Sequence, residues 1–128
     1  MKRRFVMAAA ATTLVPRSGS AQSPASGAFP DRPVRFVVPF APGGSSEVVA
    51  RAAAQELGKL LGQSVYVDNK PGGGATIGAA EVARATPDGY TVIIMSGSYA
   101  TNAAMFKLNF DPANDILPMG MIGDTAFI

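Results

Sequence analysis

The sequence predicts an α/β protein with a mainly parallel sheet and helices on both faces. Short segments rich in β-branched residues alternate with helical segments in the order βαβαβαβ, and the connections between them are short. The third strand segment, residues 90–95, is apolar at nearly every position, as is typical of a parallel strand covered on both faces. The composition of 48% apolar and 16% charged residues argues against disorder, and 14 Gly with 10 Pro indicate many turns.

The first strand and the first helix have the clearest patterns. The strand is predicted at residues 34–38 (VRFVV), before Pro39. A helix is predicted over residues 45–61, and Gly62 ends it at the C′ position. Apolar side chains at helical spacing predict the stripe that faces the core: Val49, Ala53, Leu57, Leu60 and Leu61.

The remaining elements follow the same alternation, with boundaries set by Gly, Pro and Asp. In chain order they are a strand at 65–67, a loop at 68–75, a helix at 76–85, a turn at 87–89, a strand at 90–95, a helix at 99–106, a helical turn capped by Asp111, and a fourth strand at 119–122. The buried side of the second helix is predicted to include Ile77, Ala80, Val82 and Ala83.

The first 21 residues have the features of a secretory signal peptide. A basic start (MKRR) precedes an eleven-residue run at 5–15 that is apolar except for two Thr, and the small residues Gly19 and Ala21 stand at −3 and −1 before Gln22. A run of eleven residues is too short to cross a membrane, which requires about 20 apolar residues. We therefore expect a signal peptide at 1–21, a flexible lead-in at 22–31, an exported domain from residue 32 to 128, and a periplasmic location. The Arg3-Arg4 pair leaves the general and twin-arginine export routes open.

Charge and residue usage exclude several functions. The formal charge of +2 comes from the leader, since the chain from Gln22 onward has seven basic and nine acidic residues. A nucleic-acid binder needs a basic patch, and none is present there. The sequence has no His and no Cys, which excludes Ser-His-Asp triads, cysteine nucleophiles and thiolate metal sites. We predict no enzyme, no catalytic residue, no metal site and no cofactor.

Three loops rich in Gly and hydroxyl residues follow the three predicted strands, at residues 39–46, 69–76 and 96–98. In a parallel sheet such loops meet at the carboxyl edge, and each of these leads into a helix N-terminus that favours an anion. Gly-rich turns also serve merely to reverse the chain, but three of them favour an anionic or polar small ligand. The glycines fit neither a P-loop nor a dinucleotide fingerprint. Lys70 is either an anion contact or a solvated lysine, and Tyr99 either lines the site or covers the third strand.

Four motifs occur in a characteristic order and spacing: VPFAPGGSS, VDNKPGGGATIG, PDGYT and FKLNFDP. Together they resemble the Bug receptors, the extracytoplasmic solute-binding proteins of the tripartite tricarboxylate transporter family, over residues 29–128. The resemblance implies lobe one of a two-lobed Venus-flytrap protein that holds a carboxylate through main-chain groups, hydroxyls and ordered waters. It implies the following binding residues: Gly43, Gly44, Ser45, Ser46, Gly73, Gly74, Ala75, Ser96, Gly97, Ser98 and Asn102. We expect the protein to be a monomer.

The chain departs from the family pattern in two ways. Glu47 stands where the family usually has Asp, and family members are more than twice as long, so we expect an incomplete lobe one. The expected function is periplasmic capture of a small carboxylate for the membrane components of a tripartite tricarboxylate-type secondary transporter. The alternatives are an α/β enzyme that binds a phosphorylated substrate through the Gly-rich loops, and a fragment without a function of its own. Water-mediated main-chain contacts leave no side-chain code from which to name the ligand.

Overall fold

The computed structural model describes residues 28–124, which contain a three-stranded parallel sheet. The strands are β1 (Val34–Val38), β2 (Val65–Asn69) and β3 (Thr91–Ile93), in the spatial order β2-β1-β3. In register, Val34 lies opposite Val65 and Phe36 lies opposite Val92. Because β1 pairs in parallel with both neighbours, the loops that follow all three strands leave the sheet at the same edge. The predicted parallel sheet is confirmed.

Helices cover both faces of this sheet. They are α1 (Ser45–Leu61), α2 (Thr76–Ala83) and α3 (Ser98–Met105), with a single 3₁₀ turn at Gly73–Ala75. Val34 and Phe36 of β1 form a buried cluster with Ala54 of α1. On the opposite face, Arg35 of β1 bonds to Glu81 of α2. Alternate residues of β1 therefore face different helices, as the two-residue period of a strand requires.

The predicted core-facing stripe of α1 is confirmed only in part: Ala53 packs against the buried cluster, but Val49 and Leu60 do not. The buried residues of this helix are Glu47, Ala50 and Ala54, whereas Val49 is 43% exposed and Leu60 is 82% exposed. Small alanines let the helix approach the sheet closely, and the larger apolar side chains lie on its outer side. In α2, similarly, the buried residues are Gly78 and Ala79, while Ile77, predicted as buried, is 57% exposed.

Several boundaries differ from the prediction. β2 continues to Asn69, so Asp68 belongs to a strand and not to a loop, and it pairs in register with Val37. β3 is shorter than predicted and is only half-buried. The predicted fourth strand at 119–122 is absent, and Met119 and Met121 are each 83% exposed. A strand needs a neighbour for its backbone groups, and no strand within residues 28–124 pairs with this segment.

The amino edge of the sheet is held by side chains that we call the amino-edge clasp: Phe29, Asp31, Arg32, Asp88 and Tyr90. The Tyr90 hydroxyl donates to Asp31 Oδ1 at 2.6 Å and accepts from the Asp31 N–H at 2.8 Å. Arg32 bonds to Asp88 at 2.7 Å, and its guanidinium lies 4.0 Å from the centre of the Tyr90 ring. The clasp thus joins the segment before β1 to the turn before β3.

The predicted cap at Asp111, with a single turn after it, is confirmed. Asp111 Oδ1 accepts from the Ala113 N–H at 2.9 Å, and the Asp115 N–H donates to the Asp111 carbonyl at 2.9 Å. The pKa of Asp111 is lowered by the Asn114 side-chain amide and then by the Ala113 N–H. The predicted signal peptide lies outside the described residues, as does most of the lead-in.

Candidate ligand-binding loops at the carboxyl edge

The first loop is fixed by a buried carboxylate. Glu47, in the first turn of α1, accepts the N–H of Gly43 and is bonded by the Arg51 guanidinium one turn along the helix. These contacts lower its pKa, the Gly43 N–H contributing most and Arg51 next. Gly44 precedes the helix with ordinary extended backbone (φ −82°), and its carbonyl accepts the N–H groups of Glu47 and Val48. Glu47 therefore holds the loop as a fixed anion.

The second loop has four consecutive residues with positive φ. The angles are 129° at Gly72, 57° at Gly73, 61° at Gly74 and 79° at Ala75. Within residues 28–124, Ala75 is the one residue other than glycine in this region, where a side chain costs about 1–2 kcal/mol. The Ala75 N–H donates to the Gly72 carbonyl at 3.1 Å, and the Thr76 hydroxyl donates to the Gly73 carbonyl at 2.8 Å. The loop is thus a tight left-handed segment that leads directly into α2.

The third loop presents two exposed hydroxyls. Ser96 Oγ and Ser98 Oγ lie 2.6 Å apart, and the Tyr99 N–H donates to the Ser96 carbonyl at 3.0 Å. A Cβ at Gly97 would meet no atom within 4 Å, so this position faces open space. The Tyr99 hydroxyl is buried with no hydrogen-bond partner among the described residues, and burial raises its pKa.

Side-chain amides connect the three loops. Asn69, the last residue of β2, donates to the Phe40 carbonyl in the first loop at 3.1 Å. Asn102 of α3 donates through Nδ2 to the Gly74 carbonyl at 2.7 Å, although the two residues are 28 positions apart. The loops therefore form one connected surface at the carboxyl edge, the place where open α/β sheets bind ligands.

Within the described part of the chain, the cavities beside the sheet include two that lie away from these loops. The larger, about 380 Å³, lies at the amino edge beside Arg32 and Arg35. Both guanidinium groups are already paired, Arg32 with Asp88 and Arg35 with Glu81, which leaves this cavity without a surplus positive charge. The other, about 320 Å³, lies next to β2. In residues 28–124 no three His, Cys, Asp or Glu residues come together as a metal site would require, and no helix has the length and apolar character needed to span a membrane.

Known proteins resemble the chain in sequence and in structure. Residues 49–128 match the sequence model of a protein family described as the tripartite tricarboxylate transporter family receptor. A UPF0065 protein of Agrobacterium vitis is 40% identical over 123 residues, covering 95% of this chain and 34% of the relative. The BugT protein of Bordetella pertussis is 35% identical over 114 residues, covering 87% of this chain and 35% of the relative. The chain belongs to the tripartite tricarboxylate transporter receptor family.

Solved structures agree with membership of this receptor family. A TctC solute-binding protein from Polaromonas is 38% identical, with a TM-score of 0.57 over 60% of this chain and 27% of that one. A periplasmic transporter is 52% identical, with a TM-score of 0.51 over 52% and 22%. A protein of R. palustris, solved with adipate, is 43% identical, with a TM-score of 0.50 over 51% and 22%. The chain spans about a third of the length of the curated relatives it matches.

The predicted binding residues differ in what they can still offer a ligand. Those that lie exposed at the carboxyl edge are Gly43, Gly44, Ser45, Gly73, Gly74, Ser96, Gly97 and Ser98. Ser46 and Asn102 are half-buried, and Ala75 is buried with its N–H already bonded. The Gly43 N–H already donates to Glu47, and the Asn102 amide already donates one of its two hydrogens to the Gly74 carbonyl.

Sequence patterns missed two residues that shape these loops. The Asn69 amide and the Thr76 hydroxyl both bond to loop carbonyls, and their positions beside glycines are the signal that could have indicated them. Lys70 Nζ lies 3.7 Å from Asp68 and 3.8 Å from Glu81, so its charge is balanced by carboxylates. This lysine is therefore neither freely solvated nor available as an unpaired cation.

Proposed function

We propose that the protein is a periplasmic receptor that captures a small carboxylate at the carboxyl edge of its sheet. Captured ligand is passed to the membrane components of a tripartite tricarboxylate-type transporter. The observation that carries the proposal is the connection of three Gly- and Ser-rich loops into one surface at the edge where α/β sheets bind ligands. Family membership gives this surface its function class, and the adipate bound by the R. palustris relative suggests the ligand class.

The chemistry of the loops suits a carboxylate better than a cation or an apolar ligand. Helices α1, α2 and α3 all begin at this edge, and the partial positive charge at a helix N-terminus attracts an anion. Ser45 and Ser46 at the start of α1, with Ser96 and Ser98 before and in α3, add hydroxyl donors. The positive charge of Lys70 is balanced by Asp68 and Glu81, so recognition rests on backbone groups and hydroxyls.

In this proposal residues 32–128 contribute part of lobe one, and a second lobe closes over the ligand. A ligand that bridges two lobes binds the closed state more tightly than the open one, and this difference shifts the population towards closure. The predicted residues Gly44, Ser45, Ser46, Gly73, Gly74, Ser96 and Ser98 form the lobe-one wall. Residues 1–21 act as the signal peptide, and mass spectrometry of the periplasmic protein should find an N-terminus at or near Gln22.

Calorimetry on the full natural protein tests the ligand class. Adipate, succinate and other dicarboxylates form one arm, and the diamine and the dialcohol of matching carbon number form the other. We expect saturable binding of at least one dicarboxylate and none of the diamine or dialcohol. Equal responses to the acid and the dialcohol, or no response to any acid in a wide panel, would contradict the proposal.

A further inference from the structure

We infer that Asn102 is a positioning residue that holds the second loop in its left-handed conformation from outside. The proposed function gives this role its consequence for ligand binding, but the role itself is structural and can be measured without a ligand.

The left-handed segment needs external support, because its three glycines are conformationally free in the unfolded chain and Ala75 is strained. Four successive positive φ angles include one at Ala75, a residue whose side chain disfavours that region. Two hydrogen bonds within the segment, from the Ala75 N–H and from the Thr76 hydroxyl, are local contacts that close individual turns. Local bonds of this kind do not fix the segment relative to the rest of the molecule.

Asn102 supplies the long-range contact. Within residues 28–124, its amide is the one side chain beyond α2 that bonds to the carbonyls of Gly72–Ala75. Because the Gly74 carbonyl can only accept a hydrogen bond, the Asn102 amide must direct its NH2 group, and not its oxygen, towards Gly74. An ionised carboxylate has no hydrogen to donate and could not make this contact. The fit is also close, because a Cβ on Gly74 would lie 2.8 Å from Asn102 Nδ2 and 3.2 Å from the Phe106 ring.

The anchoring of α3 makes this contact a connection between the second and third loops. α3 starts at Ser98 in the third loop, and its last turn is closed by the Phe106 N–H, which donates to the Asn102 carbonyl at 3.0 Å. The same residue therefore uses its backbone to end α3 and its side chain to hold Gly74. A change in the position of α3 moves the second loop with it.

Hydrogen exchange of the full natural protein tests the role without a ligand. The N102D variant replaces the donor with a carboxylate that the Gly74 carbonyl repels. We expect protection of the amides of residues 73–77 to fall about five-fold or more, the loss of one hydrogen bond, with amides of β1 unchanged. The matched control is N109D, which makes the same charge change at an exposed asparagine. Equal protection in N102D and the wild type would overturn the inference.

A pH series separates the hydrogen bond from general loss of structure. A protonated carboxyl is again a donor, so protection in N102D should recover towards the wild-type value below about pH 4. N102A, which has no donor at any pH, should show no recovery. If N102D unfolds at neutral pH, N102A carries the comparison with the wild type. Recovery in both variants, or in neither, would overturn the inference.

Dicarboxylate calorimetry on the same variants keeps this inference distinct from the proposed function. If N102D loses loop protection and no acid binds even the wild type, the positioning role stands and the proposed function fails. If N102D loses affinity while loop protection stays at the wild-type value, Asn102 contacts the ligand directly and the positioning role is wrong.

Discussion

The two edges of the sheet differ in the kinds of residues that hold them. At the amino edge, the clasp joins segments through charged and aromatic side chains: Tyr90 bonds to Asp31, and Arg32 bonds to Asp88. At the carboxyl edge, small residues predominate and most contacts are to backbone carbonyls, as at Gly74 and Phe40. At the amino edge the polar side chains bond to one another, whereas at the carboxyl edge hydroxyls and backbone groups are exposed.

This difference shows that similar turn residues can serve opposite purposes. The Pro-Asp-Gly turn at residues 87–89 positions Asp88 for the clasp, and the Asp88 carboxylate also accepts the Tyr90 N–H at 3.0 Å. The Pro-Gly-Gly-Gly stretch at residues 71–74 has no side chains to pair, and its glycines permit the positive φ angles. The first turn closes one edge of the sheet, and the second leaves backbone groups exposed at the other edge.

The largest effect is expected from Gly73→Val at the carboxyl edge. Gly73 has φ of +57°, and a Cβ there would lie 2.5 Å from Thr76 Oγ1. Strain and overlap together should reduce the free energy of unfolding by about 2–3 kcal/mol, and dicarboxylate binding should be lost. Urea unfolding measures the first effect and calorimetry the second.

Gly44→Val is the matched control within the same edge. Gly44 has φ of −82°, and the nearest atom to an added Cβ is the Ala41 carbonyl oxygen at 3.7 Å. We expect the free energy of unfolding to change by no more than about 1 kcal/mol, while the larger side chain blocks the ligand. Unchanged affinity in the Gly44 variant would remove the first loop from the binding surface, and unchanged stability in the Gly73 variant would contradict the left-handed geometry.

Local patterns were sufficient to predict the fold class and most elements. The bounds of β1 and α1 are those predicted, and Gly62 ends α1 with the expected positive φ of 66°. These elements depend on short-range signals: β-branched residues before Pro39, and a helix stop at a glycine. The three loops were also predictable, since parallel strands place them at one edge.

The buried face of α1 and the contacts between distant residues depend on tertiary packing and could not be predicted from local sequence patterns. The apolar stripe of α1 includes Val49 and Leu60, yet the buried face is Ala50 and Ala54, because helix–sheet distance favours small side chains. Contacts between distant positions, such as Asn102 with Gly74, have no periodic signal in the sequence. The resemblance to the receptor family implied Asn102 as a ligand contact, and no sequence pattern revealed that its amide nitrogen already donates to Gly74.

A smaller effect is expected from Tyr90→Phe in the amino-edge clasp. The change removes both hydrogen bonds to Asp31 and keeps the ring, and we expect Tm to fall by about 4 °C. The control is Tyr66→Phe, at a tyrosine that is 47% exposed, for which we expect little change. Dicarboxylate affinity should be unchanged in both variants. An affinity loss in the Tyr90 variant would show that the two edges are coupled.

The smallest effect at neutral pH is expected from Glu47→Gln. The two edges should differ most clearly in the pH dependence of unfolding, one in alkali and the other in acid. The Asp31 carboxylate raises the pKa of Tyr90 above 10.0, so the stability that its hydroxyl provides is present below pH 10 and is lost as pH rises through the folded-state pKa. The Gly43 N–H and Arg51 lower the pKa of Glu47 below 4.5, so its contribution is present above pH 4.5 and is lost as pH falls through the folded-state pKa. Glu47→Gln keeps one acceptor and removes the charge.

We therefore expect Glu47→Gln to lower Tm slightly at pH 7 and to unfold at the same Tm as the wild type once the pH is well below 4.5. As the pH rises above 10, the Tm of the Glu47→Gln variant should fall in parallel with that of the wild type. The difference in Tm between the wild type and the Tyr90→Phe variant should shrink, because the wild type loses the contribution of the Tyr90 hydroxyl. A difference at the Glu47 position that persists in strong acid would mean that the carboxylate acts there through its shape and not through its charge. In that case the first loop would not depend on the charge of Glu47, and the carboxyl edge, held by neutral hydrogen bonds such as that of Asn102 to Gly74, would contrast more strongly with the charged amino edge.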